Sequence, residues 1–180
     1  MLNPRIRATR HMNKQARQKP EDLLRECIGA ALGRIPSGLF ILTAGYEDRR
    51  AGMLASWVQQ VGFDPPMVSV AVAKGRPILP LISGSQQFGL CQLSEDDKIL
   101  LRKFAGRGDP GEDPFLGFDL IPDTQTAVPI LAHVLGYLEC EVKAHLDVEG
   151  DHDVFVGKVL GGAYFDGRPF IHVRESGFRY

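Results

Sequence analysis

An alternating run of apolar and polar residues in the last third of the chain gives the clearest structural signal. From Leu138 to Leu146 every second residue is apolar, and the residues between are charged or histidine. Successive side chains of a strand point to opposite faces, so this run predicts a strand with one face on a core and the other in water. Shorter runs predict further strands at residues 39–44, 53–61, 67–73, 88–93 and 154–159.

A tight turn is predicted after the last of these strands. Asp166-Gly167 is typical of a two-residue hairpin turn, and residues 170–173 form an apolar run that follows it. We therefore expect the run at 170–173 to return beside the strand at 154–159.

Two helices are predicted. Pro20, followed by Glu21 and Asp22, is typical of a helix start, and apolar residues at helical spacing continue to residue 35. Ser94, with Asp97 three residues later, resembles a capping box that begins a second helix. Many strands with few helices predict a mainly β fold, an antiparallel barrel that is closed or half closed, because closure removes exposed strand edges.

The segment from residue 106 to residue 129 lacks periodicity and contains four glycines and four prolines. A loop of this length is usually either a functional cover or disordered. As a hypothesis, this segment, with Phe115 and Phe118, covers a binding site. Its GxGxxG pattern follows a predicted helix and contains Pro110, whereas a dinucleotide-binding fingerprint follows a strand, so we reject that interpretation.

Composition and charge narrow the class of protein. The chain is 44% apolar and 24% charged, which is typical of a globular protein, and no apolar run is long enough to cross a membrane. Three widely spaced cysteines favour reduced thiols and a cytoplasmic location. Residues 1–19 carry six basic side chains and no acidic one, so we expect a disordered basic arm at 1–19 and a folded domain at 20–180. The acidic remainder argues against nucleic-acid binding as the main function.

Acidic residues at 147, 149, 151 and 153 resemble a calcium loop, but Lys158 stands where the loop needs a bidentate glutamate. We expect no metal site there.

Three other segments carry candidate chemistry. Residues 51–57 end in Ser56-Trp57 and are followed by Asp64-Pro65-Pro66. Lys74-Gly75-Arg76-Pro77 ends a predicted strand, where two cations beside a glycine could hold a phosphate or form a solvated turn. Gly150-Asp151-His152 lies between two predicted strands, where the histidine could serve a site or only a turn. Trp57 could likewise form the wall of a site or part of the core.

These segments, with Pro36-Ser37-Gly38 upstream and Gln87-Phe88 between them, resemble the flavin reductase-like family, whose fold is the FMN-binding split barrel. The resemblance covers about residues 34–180 and is closest to the bacterial reductase modules that also occur fused to diiron flavoproteins. It implies FMN as cofactor, with FAD as the alternative, and places His152 beside the flavin as the catalytic residue. The flavin-binding residues that it implies are Met53, Leu54, Ala55, Ser56, Trp57, Lys74, Gly75, Arg76, Phe88 and His152.

The resemblance also implies hydride transfer from NADH or NADPH to the flavin, a homodimer, and a partner oxygenase or another electron acceptor. Some positions depart from the family pattern: Leu54 replaces a commoner threonine and Cys91 a common asparagine, while Gly75 and Pro77 stand where the phosphate turn usually has hydroxyls. The main alternative is a non-catalytic FMN-binding electron carrier that a partner protein reduces. A pyridoxamine-phosphate oxidase-like enzyme and an adaptor that uses the basic arm are further alternatives.

Overall fold

The computed structural model describes residues 19–106 and 111–178, and its two longest strands pair with each other near the C-terminal end. These strands, β7 (Gly136–Asp147) and β8 (His152–Tyr164), form an antiparallel ribbon. The basic arm expected at residues 1–19 lies outside the described residues, apart from Lys19. The described part divides into two units: residues 37–172 form one, and the residues before 37 and after 172 form the other.

Within the described residues of the larger unit, seven strands form one antiparallel sheet in the order β3-β2-β6-β7-β8-β5-β4. The other five strands are β2 (Phe40–Tyr46), β3 (Arg49–Ala55), β4 (Val58–Phe63), β5 (Pro66–Ala73) and β6 (Gln87–Gln92). Strands β3 and β4 lie at opposite ends of this order, yet only Ser56 and Trp57 separate them along the chain. The sheet must therefore curl until its two edges come near each other, which makes it a barrel open along one seam.

Most of the predicted strands are confirmed, but the run at 53–61 is divided between β3 and β4, and the predicted C-terminal hairpin is wrong. The run after Asp166-Gly167 forms β9 (Ile171–His172), which pairs with β1 (Ser37–Gly38) instead of β8. The chain after the turn is held by the residues that follow β6. There the Phe170 N–H donates to the Leu93 carbonyl at 3.0 Å and the Glu95 N–H donates to the Arg168 carbonyl at 3.2 Å. These bonds direct the run towards β1, although β5 pairs with β8 only as far as Lys158.

The alternation in β7 predicts burial correctly only in its first half. Cys140 is fully buried and Leu138 and Val142 pack on the core, but Leu146 is 48% exposed. Strand β6 pairs with β7 only as far as Glu141, and the ladder between β7 and β8 shifts register beyond Val142. The end of the ribbon thus extends past the strand that would cover it.

Two clusters of buried side chains support the barrel. One lies inside the sheet and includes Val70, Phe88 and Phe155, all almost fully buried. The other joins β2 and β6 to the segment that follows the last helix, and it includes Ile41, Phe115 and Ile130. The segment predicted to be a cover therefore packs on the barrel through its own buried aromatic residue.

The described residues contain three helices. The first predicted helix is confirmed as α1 (Pro20–Gly33), which belongs to the smaller unit, where the Arg174 N–H donates to the Gly33 carbonyl at 2.9 Å. The second is confirmed as α3 (Lys98–Ala105), although it begins after Asp97, whose carboxylate accepts from the Ser94 N–H at 2.6 Å. Helix α2 (Leu79–Ser85) was not predicted.

In the part of the chain that the structure describes, no helix has the length and apolar character needed to cross a membrane.

Candidate functional site

A cavity of about 520 Å³ lies beside the edge strand β3. Its other walls come from the turn after β5, the start of α2, the end of α3 and residues 111–114. Cavities between roughly 300 and 1,000 Å³ are the ones that hold cofactors and small substrates. The cavity is thus large enough for a flavin nucleotide or a similar ligand.

One wall of the cavity is apolar because Gly52 lets β3 approach two aromatic rings. A Cβ atom at Gly52 would lie 2.6 Å from the Phe104 ring and 3.1 Å from the Phe115 ring, so any larger residue would displace them. The two rings lie 5.7 Å apart, centroid to centroid. Met53, next along β3, also lines the cavity and packs on the interior core. This wall suits a flat, apolar ring system.

The rim of the cavity is rich in charge. Among the described residues, four basic and three acidic side chains line it: Arg49, Arg50, Arg76, Lys103, Asp48, Glu112 and Asp113. The basic residues exceed the acidic ones by one, which favours an anionic ligand.

Two of the rim cations, Arg76 and Arg49, form no ion pair with any residue in the ranges 19–106 and 111–178, whereas Arg50 is hydrogen-bonded to Asp113. Of these two arginines, Arg76 is half-buried and Arg49 is exposed. A cation of this kind at the rim of a cavity can bind a phosphate without first losing a partner. Arg76 is therefore the residue of the rim best suited to hold a ligand's phosphate.

Lys74 faces away from this cavity. Its ammonium donates to Asp147 Oδ1 at 2.6 Å and to the Val148 carbonyl at 3.2 Å. The hydrogen bond with Asp147 raises the pKa of Lys74, and the same bond lowers the pKa of the Asp147 carboxyl. Gly75, between the two cations, has a φ of 78°, a left-handed conformation that favours glycine. The turn thus directs Lys74 and Arg76 to different surroundings.

A second group of predicted site residues lies where the end of β5 pairs with the start of β8. The rings of Trp57 and His152 lie 4.5 Å apart, and His152 is 9% exposed. The Trp57 carbonyl accepts from the Ala71 N–H at 3.0 Å, which ties the residue before β4 to β5. Ala73 is the register partner of His152 on β8. These two ladders explain how residues so distant in sequence become neighbours.

The imidazole of His152 is oriented by the residue that precedes it. Its Nδ1 lies 2.7 Å from Oδ1 of Asp151, and this hydrogen bond is the main cause that lowers the pKa of the Asp151 carboxyl. An ionised carboxylate can only accept, so Nδ1 carries the hydrogen of this bond. The tautomer and the ring direction of His152 are thus fixed together.

The structure separates the predicted site residues into groups. Met53 and Arg76 line the cavity, and Trp57, Lys74 and His152 lie at the end of the ribbon. The remaining predicted residues contribute to packing or to turns. Ala55 and Ser56 are buried, Leu54 packs against the cluster next to β2, Gly75 forms the turn, and Phe88 is fully buried in the barrel interior against Gly157.

The charged rim was missed by the sequence analysis. Arg49 and Arg50 directly precede the run at 51–57, and their density of charge beside a candidate motif was a signal that could have been used. No comparable signal in the sequence identifies the acidic partners. Asp113 lies 63 positions from Arg50 in the chain, and only the fold brings them together.

Comparisons with known proteins bear on this arrangement. A family model described as "Flavin reductase like domain" matches residues 32–178. The chain is 41% identical over 156 residues to Diflavin flavoprotein A 1 of Synechocystis sp., which covers 83% of this chain and 26% of that relative. The chain therefore spans less than a third of the length of the first curated relatives that it matches.

Two solved structures show the same architecture. An NADH:FAD oxidoreductase of Streptomyces globisporus matches with a TM-score of 0.75 and 25% identity, covering 89% of this chain and 93% of that one. A nitrilotriacetate monooxygenase component B homologue of Mycobacterium thermoresistibile matches with a TM-score of 0.73 and 26% identity, covering 86% of each.

The fold is thus a mainly β, antiparallel split barrel with flanking helices, as the sequence predicted. The match over residues 32–178 then assigns the protein: the chain belongs to the flavin reductase-like family.

Proposed function

We propose that this chain binds FMN in the cavity beside β3 and is an NADH- or NADPH-dependent flavin reductase. FMN consists of a flat ring system and a phosphate joined by a short polar chain. The cavity offers the two corresponding features, an apolar wall at Met53 and Phe104 and a cationic rim. The observation that carries the proposal is Arg76, which lines this cavity without an ion pair inside the described ranges.

The residues that would hold FMN follow from their surroundings. Arg76 would bind the phosphate, and Met53, Phe104 and the backbone at Gly52 would contact the ring. When bound, the flavin supplies the redox chemistry, because its ring accepts a hydride and passes electrons on. The protein has to bind it, orient it and leave one face accessible.

His152 is proposed to position the nicotinamide or the edge of the flavin. Its ring is held by Trp57 on one side and by the Asp151 carboxylate at Nδ1. Hydride transfer between two cofactors requires no protein nucleophile, so a fixed imidazole contributes by orientation and by charge. The name of the Streptomyces globisporus relative, an NADH:FAD oxidoreductase, supports a nicotinamide donor and keeps FAD as the alternative flavin.

The electron acceptor is proposed to be a partner oxygenase or another redox protein. The relative from Mycobacterium thermoresistibile is named as a component of a monooxygenase, and the Synechocystis relative is a diflavin flavoprotein of which this chain matches 26%. We also propose that the chain acts as a homodimer in the cytoplasm, where its three cysteines would stay reduced.

Anaerobic stopped-flow mixing tests the proposal. The purified protein is loaded with FMN or FAD, its affinity for each is measured by calorimetry, and it is mixed with NADH or NADPH. Rapid loss of the oxidised-flavin absorbance at rates that match steady-state turnover is the expected result. Tight flavin binding without reduction by either nucleotide would instead support the non-catalytic electron carrier. Absence of flavin binding would refute both.

A further inference from the structure

An ion pair connects the two sides of the cavity. Arg50 on β3 donates through Nη2 to Oδ2 of Asp113, which lies in the segment after α3. Both residues line the cavity, and their side chains are 42% and 34% exposed. The contact therefore lies at the accessible rim, where a ligand would enter.

The carboxylate of Asp113 is held in place by its own segment. Oδ1 accepts from the Phe115 N–H at 3.1 Å, which leaves Oδ2 to meet Arg50. Phe115 is 2% exposed and packs on Phe104, so the turn that carries Asp113 is anchored on the barrel. The guanidinium of Arg50 lies 5.8 Å from the centroid of the same ring. Asp113 thus accepts the hydrogen bond of the Arg50 guanidinium from a fixed position.

The neighbouring acid repeats this arrangement with a looser contact. Oε2 of Glu112 lies 3.8 Å from Nζ of Lys103 at the end of α3, and both residues line the cavity. Two of the cations of the rim are therefore neutralised by acids from one short segment. Arg76 and Arg49 have no such acidic partner among the residues that the structure describes.

A guanidinium binds carboxylate and phosphate oxygens with the same planar set of donors. We infer that Arg50 is a second phosphate-binding residue of this cavity and that Asp113 occupies it as an internal substitute until a phosphate group displaces the carboxylate. The ligand class is a phosphate ester or diphosphate, as in FMN or FAD. Only the identity of that ligand as a flavin nucleotide rests on the proposed function.

Displacement of a carboxylate lowers the affinity for every phosphate compound that uses Arg50. The incoming phosphate must break the existing ion pair, and it also meets a nearby like charge. Asp113→Asn removes both costs. The asparagine keeps an Oδ1 that can accept from the Phe115 N–H, so the turn is preserved while the charge is lost.

Calorimetric titration with pyrophosphate alone tests the exchange without a flavin. We expect Asp113→Asn to bind pyrophosphate about threefold to tenfold more tightly than the wild-type chain at low salt. Asp119→Asn is the matched control, because this exposed carboxylate of the same segment pairs with His133 and is not among the cavity residues. It should leave the affinity unchanged. Arg50→Gln in the Asp113→Asn background should remove the gain, whereas Arg102→Gln should not.

The inference is overturned if Asp113→Asn, with an unfolding temperature like that of wild type, binds pyrophosphate no more tightly than wild type, including the case in which neither binds it. Parallel titrations with riboflavin, FMN and FAD separate this result from the proposed function. If Asp113→Asn leaves flavin affinity unchanged, the exchange of Asp113 for a phosphate at Arg50 is refuted and the reductase proposal is unaffected. If Asp113→Asn binds pyrophosphate more tightly but no flavin binds, the exchange is supported and the reductase proposal is refuted. A gain for FAD larger than for FMN would assign Arg50 to the second phosphate of a dinucleotide.

Discussion

The rings of Trp57 and His152 lie 4.5 Å apart with their planes inclined by 43°. Trp57 precedes β4 at one edge of the sheet, and His152 is the first residue of β8. Strand β5 lies between them in the sheet and joins both by backbone hydrogen bonds. The contact thus follows from the order of the strands in the sheet, and it gives the histidine a fixed neighbour on one side.

Replacing His152 with glutamine is expected to lower turnover with NADH by roughly tenfold, with a much smaller change in flavin affinity. The reason is that glutamine loses the ring contact with Trp57 and the orientation set by Asp151. Steady-state kinetics that separate kcat from KM, together with flavin titration, measure this split. His133→Gln is the control, because this histidine pairs with Asp119 at an exposed position. A kinetic profile identical to wild type would refute the role of His152.

Arg76 and Lys74 are expected to differ in their effect on FMN. Arg76→Gln should weaken FMN binding by roughly tenfold to a hundredfold and leave riboflavin almost unaffected, because only FMN carries the phosphate. Lys74→Gln should change FMN affinity less than about threefold, since its ammonium is engaged by Asp147 and Val148. Isothermal titration of both flavins with both variants measures this. An equal loss for riboflavin and FMN would show that Arg76 does not bind the phosphate.

The Lys74–Asp147 pair gives the ribbon end a pH dependence whose sign is fixed. The pKa of Asp147 is lowered from its ordinary 3.8, so its stabilisation is present above that value and is lost as pH falls through the lowered pKa. The pKa of Lys74 is raised from 10.5, so its stabilisation is present below that value and is lost in strong alkali. Thermal unfolding of wild type and Asp147→Asn should therefore differ near neutral pH and converge in acid.

Two controls distinguish the effect of this ion pair from a general effect of charge. Added salt should reduce the difference, because the pair is exposed. Glu149→Gln, which removes a neighbouring acid, should unfold at nearly the same temperature as wild type near neutral pH. A difference between wild type and Asp147→Asn that persists unchanged in acid would contradict the assignment.

Glu139 is expected to stabilise the segment before β7. Its carboxylate is 2% exposed and accepts from both the backbone N–H and the hydroxyl of Thr126, at 2.7 and 2.8 Å. Glu139→Ala would leave these buried donors without an acceptor, which should lower the free energy of unfolding by about 1–3 kcal/mol in denaturant titrations. Glu139→Gln retains an acceptor and should cost less. Glu141→Gln, whose exposed side chain pairs with Lys143, should have little effect.

The three cysteines should react at very different rates. Burial raises the pKa of Cys91 and of Cys140 to about 12, whereas Cys27 is exposed. Because the thiolate is the reactive form, a thiol reagent should modify one cysteine per folded chain and all three after unfolding. Cys27→Ser should abolish the native reaction. Rapid modification of the folded Cys27→Ser variant would show that the interior opens.

Local patterns predicted most of the strands because each strand's burial is set mainly by one sheet face. Val68, Val70 and Val72 alternate in sequence, and all three are buried as that alternation indicates. Pairing partners were less predictable. The turn at Asp166-Gly167 indicated a hairpin, but the run after it pairs with β1, which lies more than 120 positions away in the chain. Helix α2 was missed because proline, glycine and two serines occupy four of its seven positions.

The candidate site was also predictable only in part. Arg76 and Met53 could be proposed from short segments, because each lies within a motif. The contrast between Arg76 and Lys74 could not, since it depends on where Asp147 comes to lie. The ion pair between Arg50 and Asp113 likewise depends on how the segment after α3 packs through Phe115. Charges that neutralise one another across a cavity belong to tertiary structure and have no local signature.

The position of Trp57 has a practical consequence. The chain contains a single tryptophan, so all of its indole emission arises beside His152. Flavins absorb in the region where indole emits, so energy transfer to a flavin bound as proposed would dim that emission. The protein therefore carries its own optical probe, and occupancy can be followed in unlabelled material in real time.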